Sequence, residues 1–512
     1  MILVLNFGGQ TCNLIARRIR DMNVYSEILP CDISIDEIKK LNPQGIILSG
    51  GPSSVYEQNA PTTDKKILDL GIPILGICYG LQLIGKFVGS HVLGGKLKEF
   101  GKKILKVEKQ GKLLKGLSKK EQIWMSHGDL VTSLPKDFHI LASTDSCKIA
   151  SFENNIKKLY GVQFHPEVVH TLSGNKILKN FVSNICKAKK DWKIGNLSKR
   201  LIQQVTEEVG NDSVIMGVSG GVDSTVAATL IHKAIGERIY CVFIDHGLIR
   251  NGEAHEVNFF FKKKLKFKNF FSVDASKKFL ERLRGVTEPE EKRKIIAHTF
   301  IEVFENKVAE LEKKYPTIKF LGQGTIYPDR IESAQPTKYA SKIKSHHNIA
   351  LPEKMKLKVI EPLKEFYKDE VRMLGKQLKI PTQILHRHPF PGPGLAIRIL
   401  GELTEERLRI LRKADYIFIE ELKKSKFYDK IWQAFAALFP VKSVGVMGDA
   451  RTYEYIITLR AVTSVDAMTA DWAKLPNQLL EKISNRIINE VRGVNRVVYD
   501  ISQKPPSTIE YE

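Results

Sequence analysis

The chain has 512 residues, which at about 100–200 residues per domain predicts roughly three or four domains. Apolar residues make up 43% and charged residues 27% of the composition, as is typical of a soluble protein with hydrophobic cores. Because the sequence holds no apolar window near the roughly 18 residues of a membrane span, and "MILVLNFGGQ" has no basic leader, we expect a cytoplasmic protein without membrane contact.

The net charge of +23 raises the possibility of nucleic-acid binding. In "FFFKKKLKFKNFF" lysines and phenylalanines alternate in a way that could form a stacking surface for single strands. An amphipathic surface segment explains the same residues more simply, and a positive field also suits small anionic substrates. We therefore expect no nucleic-acid partner.

Residues 1–188 alternate short β-rich runs with helix-like stretches, which favours an α/β domain with a largely parallel sheet. The predicted strands include "MILVLNF", "GIILSGG" and "IPILGIC". The predicted helices include "TCNLIARRIRDM" and "GLQLIGKFVG".

In "IPILGICYGLQLIG", Cys78 lies between a predicted strand and a predicted helix, with Gly76 and Gly80 two residues away on either side. Small neighbours permit a sharp turn that presents a nucleophile. The following helix N-terminus would favour a thiolate, and its N–H groups could stabilise an oxyanion. A buried structural cysteine beside a tight turn fits the same residues. The six cysteines show no CxxC or metal-binding spacing, so we expect free thiols.

In "KLYGVQFHPEVV", His165 and Glu167 are two residues apart, so on an alternating strand both side chains point to one face. There the carboxylate could orient the imidazole, and the imidazole could serve a thiol as base. Such a pair alone is more often a surface pair. Combined with the cysteine turn and the early "LSGGPSS" turn, it indicates nucleophilic catalysis.

These segments resemble the class I glutamine amidotransferases across residues 1–188. The resemblance implies hydrolysis of glutamine to glutamate and ammonia through a thioester. It makes Cys78 the nucleophile, His165 the base and Glu167 the orienting acid. The N–H groups of Gly51 and Tyr79 would form the oxyanion hole. The implied glutamine-binding residues are Gln82, Ser126, His127 and Gly128.

A second β/α series runs from Val214 to about His386, after a charged segment that begins at Cys186. Its first strand leads through "SGGVDS" into a helix-like stretch, a layout suited to binding anionic oxygens. The phosphate-loop pattern GxxxxGK[ST] fails here in every register, and Asp223 stands in place of its usual lysine. The dinucleotide pattern GxGxxG fails because Val222 occupies the position of its final glycine. An ordinary strand–turn–helix junction capped by Asp223 and Ser224 is the alternative.

The SGGVDS segment resembles the pyrophosphate-binding loop of ATP pyrophosphatases, which cleave ATP between its α- and β-phosphates. The resemblance implies a doubly wound parallel-sheet domain at 189–387, with Mg²⁺ accompanying the pyrophosphate and Asp223 helping to hold the metal. The implied ATP-binding residues are Ser219, Gly220, Gly221, Val222, Asp223, Ser224, Val242 and Lys344.

The sequence pattern of residues 388–512 predicts a small α+β domain. The stiff, proline-rich "HRHPFPGPGLAIR" connects it to the preceding domain. We expect helices at 403–439 and 469–492, with strands at 441–450, 453–464 and 495–502. The tail "KPPSTIEYE" has two prolines and Ile509, which could dock it, although a frayed tail is the plain alternative.

The segments "EPEEKRKIIAHTF", "GQGTIYPDRIES", "HRHPFPGPGLAIRILGE" and the tail extend the resemblance over nearly the whole chain, to the glutamine-hydrolysing GMP synthetase family. The resemblance implies glutamine, ATP and xanthosine 5′-monophosphate (XMP) as substrates. ATP would adenylate XMP, and ammonia would displace AMP to give GMP. The implied XMP-binding residues are Arg293, Lys504, Ile509 and Glu510. A homodimer through 388–512 is also implied.

Two departures from the family pattern concern loop geometry more than reaction type. "SHHNIALPEK" lacks a double glycine, and Ala297–His298 stands where a glycine is common. Another amidating ATP pyrophosphatase, such as an NAD synthetase-like enzyme, is the alternative enzyme. A nucleic-acid-binding protein with degenerate sites is the alternative outside enzymes, and the intact Cys78, His165 and Glu167 set argues against it.

Overall fold

The structure, a computed structural model, describes residues 1–9, 11–333, 357–464 and 469–512. The chain forms two compact units, the first containing Met1–Leu197 and the second containing Ser198–Asp329 and the described residues after 356. The expected boundary at 387/388 falls inside the second unit, so the division into three domains stays a prediction. Within the described ranges, no helix is long and apolar enough to cross a membrane.

The first unit is built on a nine-stranded sheet in the order β2-β1-β3-β4-β9-β8-β7-β5-β6. The first five strands of this order, β2-β1-β3-β4-β9, pair in parallel with their neighbours. The pairings from β9 onward to β6 are antiparallel. The predicted parallel sheet is therefore one part of a mixed sheet. Its elements are β1 (Ile2–Asn6), α1 (Cys12–Arg20), β2 (Ser26–Pro30), α2 (Ile35–Leu41), β3 (Gly45–Leu48), β4 (Ile74–Ile77), α3 (Tyr79–Phe87), β5 (Val92–Val107), β6 (Lys120–Val131), β7 (His139–Ser143), β8 (Ser151–Asn154), β9 (Leu159–Val162) and α4 (Gly174–Lys179). The next helix, α5 (Ile194–Val209), begins in this unit and continues into the second.

The parallel strands of this unit are buried on both faces, as their continuous apolar sequences require. Strand β3 consists of Gly45 and three fully buried aliphatic residues, and β4 is buried along its whole length. All six cysteines of the chain are free and buried, as the sequence predicted. The functional side chains therefore have to come from the ends of these strands.

The second unit contains a five-stranded, all-parallel sheet in the order β12-β11-β10-β13-β14. The chain winds outward from β10 in one direction and then returns to β13 on the other side, so the predicted doubly wound sheet is confirmed. Its elements are β10 (Ser213–Gly217), α6 (Val222–Ile235), β11 (Ile239–Asp245), α7 (Glu253–Phe259), β12 (Phe270–Asp274), α8 (Ser276–Arg282), α9 (Pro289–Lys314), β13 (Ile318–Gly322), α10 (Tyr327–Ser333), β14 (Lys358–Ile360), α11 (Lys368–Gln377) and α12 (Thr382–Leu385).

The last part of the second unit packs helices on a four-stranded sheet, in which β16 pairs with β15, β17 and β18. Its elements are α13 (Glu405–Lys424), β15 (Gln433–Met447), β16 (Ala450–Thr463), β17 (Asp471–Trp472), α14 (Asn477–Glu490) and β18 (Val494–Tyr499). The α+β class is as predicted.

Two of the predicted helices in this region are wrong in extent. The helix expected at 403–439 ends at Lys424, and Gln433–Met447 forms a strand instead. Although "QAFAALF" has good helix formers, its residues are buried on both faces and pair with β16, so tertiary packing overrides propensity. The helix expected at 469–492 begins only at Asn477, after the short β17.

Three of the six phenylalanines of "FFFKKKLKFKNFF" face the interior. Phe261, Phe267 and Phe270 are buried and contact one another through their rings. Phe259 is exposed, and the lysines of Phe260–Lys264 flank the buried rings. This arrangement matches the expected amphipathic segment and leaves few rings for stacking bases.

Candidate active sites

Cys78 stands at the sharp turn between β4 and α3 that the sequence predicted. Its backbone has φ 52° and ψ −107°, a conformation that L residues adopt only under strain. A Cβ on Gly76 would lie 2.5 Å from the Gly80 carbonyl, and one on Gly80 would lie 2.2 Å from the Leu48 carbonyl. The two glycines are therefore required because the helix start, β4 and β3 approach one another closely.

His165 and Glu167 form a buried pair with Nδ1 and Oε1 2.7 Å apart. They lie beyond the end of β9 and not on a strand as predicted, but the two side chains still meet. The backbone of His165 is fixed as well, since its N–H donates to the Trp124 carbonyl (3.0 Å) and its carbonyl accepts from Thr171 Oγ1 (2.6 Å). The imidazole is thus held in a single orientation.

Cys78 and His165 are neighbours, since a Cβ on Gly50 would lie 2.9 Å from the imidazole of His165 and 3.7 Å from Cβ of Cys78. Burial disfavours the imidazolium, but the charge of Glu167 and the interaction with Cys78 outweigh this effect, so the pKa of His165 lies well above its ordinary value. An imidazole with a raised pKa is a stronger base, which favours proton transfer from the thiol to His165. The structure thus brings the three predicted residues together in one buried group.

The other residues expected around the nucleophile lie close to it. A Cβ on Gly51 would lie 2.5 Å from the Phe7 carbonyl, so this turn packs against the end of β1. Tyr79 is the first residue of α3. The Cys78 thiol donates to the Ser126 carbonyl over 3.5 Å, and a Cβ on Gly128 would meet open space.

The predicted glutamine-binding side chains already have protein partners. Gln82 donates through Nε2 to the Asp129 carbonyl over 2.9 Å. His127 has its Nε2 3.0 Å from Glu99 Oε2 and its Nδ1 3.1 Å from the Asp129 carbonyl. Burial lowers the pKa of His127, although Glu99 opposes this effect. No pattern in the sequence singles out Glu99, which lies in the long strand β5.

Gln163 is a second buried polar residue that sequence reasoning missed. Its Nε2 lies 3.8 Å from the Cys78 sulfur, and its side chain is completely buried. It precedes His165 by two residues, the same interval that separates His165 from Glu167. That alternation is the signal that could have identified it.

In the second unit, the SGGVDS loop leaves the carboxyl end of β10 beside β13, where the strand order reverses. In doubly wound sheets, ligands bind at this position. The loop contacts the turn after β13, because a Cβ on Gly324 would lie 3.0 Å from the Ser224 nitrogen. Gly220 has φ 75° and no room for a Cβ against Val257, so a larger residue would be strained there.

Hydroxyl groups close the loop upon itself at the start of α6. The Ser219 nitrogen donates to Ser224 Oγ over 3.2 Å, and the two hydroxyls are also 3.2 Å apart. Gly221 is the N-cap and Val222 the first residue of α6. Arg387 donates to the Gly220 carbonyl over 2.9 Å. The helix N-terminus and hydroxyls thus form a cradle suited to phosphate oxygens.

Asp223 has one partnered and one unpartnered carboxylate oxygen. Its Oδ2 forms an ion pair with Lys368 at the start of α11, while its Oδ1 is buried with no hydrogen-bond partner in the described structure. Lys368 was missed, because it lies 145 residues away from Asp223 in sequence. The SGGVDS loop, which has no lysine of its own, is therefore paired with a lysine from a distant helix.

The Asp223 carboxylate fits a Mg²⁺ site that depends on substrate. The described residues contain no cluster of three His, Cys, Asp or Glu side chains that could hold a metal by themselves. Mg²⁺ commonly binds through one or two carboxylates together with substrate phosphates, and the unpartnered Oδ1 could supply such a ligand.

The remaining predicted ATP and XMP residues are more dispersed. Val242 lies inside β11, where its carbonyl accepts from Val218 over 2.9 Å, and Lys344 lies outside the described residues. Arg293 lies on α9, paired with Glu290. Lys504 forms a backbone bridge with Ala470.

The C-terminal tail is docked and not frayed. Ile509 is buried, and its carbonyl accepts from the buried Arg460 over 2.9 Å. Glu510 receives two hydrogen bonds from the fully buried Arg398, at 3.1 and 2.8 Å, and a third from Gln433 at 2.6 Å. The Glu510 carboxylate is therefore already neutralised by the protein.

The tail ends at a second buried ion pair. The Lys292 ammonium, whose side chain is completely buried, lies 2.5 Å from Glu512 Oε2 and also donates to the Ile399 carbonyl over 2.8 Å. Burial lowers the pKa of Lys292, and Glu512 counteracts this effect. Lys292 precedes Arg293, so the tail is held directly beside the helix that carries a predicted XMP residue.

Comparison with known proteins gives family matches to three segments of the chain. The glutamine amidotransferase class-I family matches residues 3–185, NAD synthase matches residues 194–283, and the GMP synthase C terminal domain matches residues 420–511. The NAD synthase match covers β10, α6 and β11, the elements that carry and flank the SGGVDS loop.

Relatives that match the whole chain show which protein family contains these three segments together. The glutamine-hydrolyzing GMP synthase of Aquifex aeolicus is 56% identical over 519 residues, covering 100% of this chain and 99% of its own. Those of Carboxydothermus hydrogenoformans and Thermosipho melanesiensis are 56% and 54% identical with the same coverage. The chain therefore belongs to the family of glutamine-hydrolysing GMP synthases.

Proposed function

We propose that this chain converts XMP to GMP, using glutamine as nitrogen donor and ATP as the activating substrate. The balanced reaction is XMP, ATP, glutamine and water giving GMP, AMP, pyrophosphate and glutamate. The observation that carries the proposal is the group of Cys78, His165 and Glu167 in a chain whose second unit presents the SGGVDS loop at its switch point.

Glutamine hydrolysis is assigned to the first unit. Cys78 attacks the side-chain amide carbon after its proton has moved to His165, whose orientation Glu167 fixes. His165 then gives the proton to the departing ammonia, and water hydrolyses the thioester. N–H groups of Gly51 and Tyr79 stabilise the oxyanions. Gln82, Ser126, His127 and Gly128 line the glutamine pocket, with Ser126 and Gly128 acting through their backbone.

Activation of XMP is assigned to the second unit. The loop residues Ser219 to Ser224 hold the β- and γ-phosphates while the XMP carbonyl oxygen attacks the α-phosphorus and pyrophosphate leaves. Lys368 adds a positive charge next to Asp223, where the leaving group accumulates negative charge. Val242 and Lys344 complete the set of ATP-binding residues.

Mg²⁺ would be held by Asp223 Oδ1 together with phosphate oxygens of the substrate. Bound there, the metal would neutralise charge on the departing pyrophosphate. Lys368 would keep Asp223 in place by its ion pair with Oδ2, leaving Oδ1 directed to the cation.

XMP is assigned to the region around Arg293 and the docked tail, with Lys504, Ile509 and Glu510. Because Arg398 and Gln433 already hold Glu510, its carboxylate can accept hydrogen bonds from the nucleotide without having to be immobilised first. Ammonia then displaces AMP from adenylated XMP.

A homodimer in the cytoplasm is the proposed state of the enzyme. The paired strands β15 and β16 carry exposed apolar side chains, among them Val446 and Tyr453, which a second copy could cover. Light scattering at micromolar concentration should give twice the chain mass, and a monomer would contradict the dimer.

Incubation with glutamine, Mg-ATP and XMP, followed by chromatography of the nucleotides, tests the activity. GMP and AMP should appear in equal amounts, and omission of any one substrate should stop GMP formation. Because NAD synthase matches part of the second unit, the deamidated precursor of NAD replaces XMP in a parallel assay. Amidation of that precursor in preference to XMP would favour the alternative enzyme.

A further inference from the structure

The carboxamide of Gln163 contacts the sulfur of Cys78. Gln163 directly follows β9, and its backbone N–H donates to the Ala150 carbonyl over 2.9 Å, which fixes the main chain. Its side chain is completely buried, with Nε2 3.8 Å from Cys78 Sγ. The nucleophile therefore has an amide donor in addition to its imidazole.

Within the described residues, the Cys78 sulfur is the hydrogen-bond partner of this carboxamide. The Oε1 atom is buried and has none. A buried amide that lacks partners destabilises the fold, so such a residue calls for an explanation. The reverse orientation of the amide would direct an oxygen lone pair at the sulfur, which an anionic sulfur would repel.

The two states of the sulfur need different partners. The neutral thiol can donate its proton to the Ser126 carbonyl at 3.5 Å. Once that proton has moved to His165, the same carbonyl has nothing to accept and faces a negative charge. The N–H of Gln163 is then a donor on the thiolate, and hydrogen bonds to charged acceptors are the stronger ones.

We propose that Gln163 is a further catalytic residue, whose Nε2–H stabilises the Cys78 thiolate. This inference rests on the proposed glutaminase function. The sulfur uses its electron pair to form the bond to the amide carbon of glutamine, and the C–N bond breaks as ammonia takes the proton from His165. When water attacks the thioester and gives its proton to His165, the C–S bond breaks and the sulfur leaves with its electron pair, again accepting from Gln163.

Gln163→Leu tests this assignment, because leucine keeps most of the volume and removes the donor. Alkylation of Cys78 by iodoacetamide at neutral pH should become about tenfold slower, since only the thiolate reacts. The kcat for glutamine hydrolysis should fall about tenfold while KM for glutamine changes less than about twofold. GMP formation from ammonium salts should be unchanged, which shows that the chain is folded.

Three controls accompany the test. Cys78→Ser gives the background alkylation of the five other cysteines. Asn180→Leu removes a matched buried amide of the same unit, whose Nδ2 donates to the Leu113 and Lys115 carbonyls, and it should leave alkylation of Cys78 unchanged. Gln163→Glu keeps the shape of the side chain and serves as the second variant should leucine disturb folding; it too should slow alkylation.

Alkylation of Cys78 at the wild-type rate in either folded variant would overturn the inference, even if glutamine hydrolysis were slower. A change confined to KM for glutamine would also overturn it, since that outcome assigns Gln163 to substrate binding. Failure of the proposed function would look different: the wild-type chain would hydrolyse no glutamine, while the alkylation rates would still report the contact between amide and sulfur.

Discussion

The two candidate active sites differ in how completely the protein assembles them. Around Cys78 the reacting groups are side chains of the protein: His165 and Glu167 are paired and buried, and the backbone is held by hydrogen bonds at both, although Glu167 Oε2 and Gln163 Oε1 have no hydrogen-bond partner in the described structure. At the SGGVDS loop, one oxygen of Asp223 is buried without a partner, and Ser219 and Ser224 bond chiefly to each other. The first site supplies its own reacting group, and the second supplies a helix N-terminus and hydroxyls for the phosphates of a ligand.

The difference follows from the charges of the two substrates. Glutamine brings no net charge to the reacting amide, so the protein itself has to create the charged nucleophile by separating a proton from Cys78. ATP brings several negative charges, so a loop with all its groups already satisfied would have to lose hydrogen bonds to bind it. An incomplete loop is the better receptor for a ligand that carries its own charge.

Replacing the nucleophile is the strongest test of this contrast. Cys78→Ala should lower glutamine-dependent GMP formation by more than about 10³-fold, because no other group can form the thioester. Activity with ammonium salts should remain, since the second unit keeps its own site. Both rates are measured by the formation of GMP at saturating XMP and Mg-ATP.

Cys31→Ala is the matched control, because Cys31 is a buried thiol of the same unit that belongs to the apolar core. It should leave both activities within about twofold. If Cys78→Ala also abolished the ammonia-dependent reaction, the two sites would not be chemically separate.

Removing the carboxylate of the loop should have the next largest effect. Asp223→Ala should lower pyrophosphate release from ATP in the presence of XMP by about 10²-fold, as loss of a metal ligand weakens charge neutralisation by several kcal/mol at most. Glutamine hydrolysis at the Cys78 site needs none of these groups. Pyrophosphate release is followed at several Mg²⁺ concentrations.

Glu302→Ala removes a carboxylate of the second unit that also pairs with cations, Lys278 and Arg282, but lies on α9. It should release pyrophosphate at the wild-type rate. Equal rates for Asp223→Ala and the wild type would contradict the metal-binding role and would leave the unpartnered oxygen unexplained.

Substitution of the Lys292–Glu512 pair tests whether the proposed XMP site of the second unit is also held in place by the protein before the substrate binds. Lys292→Met should raise KM for XMP about tenfold, because the tail loses the cation that fixes it beside Arg293. It should also lower the free energy of unfolding by about 3 kcal/mol, since the Glu512 carboxylate stays buried without its partner. Urea unfolding and XMP titration measure the two effects.

The double variant Lys292→Met with Glu512→Gln provides the control. Removing the charge on both partners should recover much of the lost stability but not the KM for XMP. Recovery of KM together with stability would show that the pair acts only on folding.

The Cys78 site could largely be predicted because its signals are local. The glycines around Cys78 and the two-residue interval from His165 to Glu167 lie within short segments. Over such short distances the spacing of residues along the backbone largely determines which side chains lie close together. The strand assumed for His165 was too long, yet the two side chains meet because Thr171 and Trp124 fix the backbone beyond β9.

The rest was not predictable because it depends on contacts distant in sequence. Lys368 reaches Asp223 from a helix with no phosphate-binding pattern of its own, and Arg398 reaches Glu510 across 112 residues. Strand β15 was mistaken for a helix because Ala436 and Ala437 favour helices, while their burial on both faces depends on neighbours that the local sequence does not reveal.

The positive φ of Cys78 also sets activity against stability at that position. Among variants without the nucleophile, Cys78→Gly should be more stable than Cys78→Ala by about 1 kcal/mol in urea unfolding, the reverse of the usual order, because glycine adopts φ 52° and ψ −107° without strain. In a lineage that no longer needed glutamine as its nitrogen donor, a change of residue 78 to glycine would therefore be favoured by its effect on stability. A glycine found there would mark an enzyme that had come to depend on free ammonia.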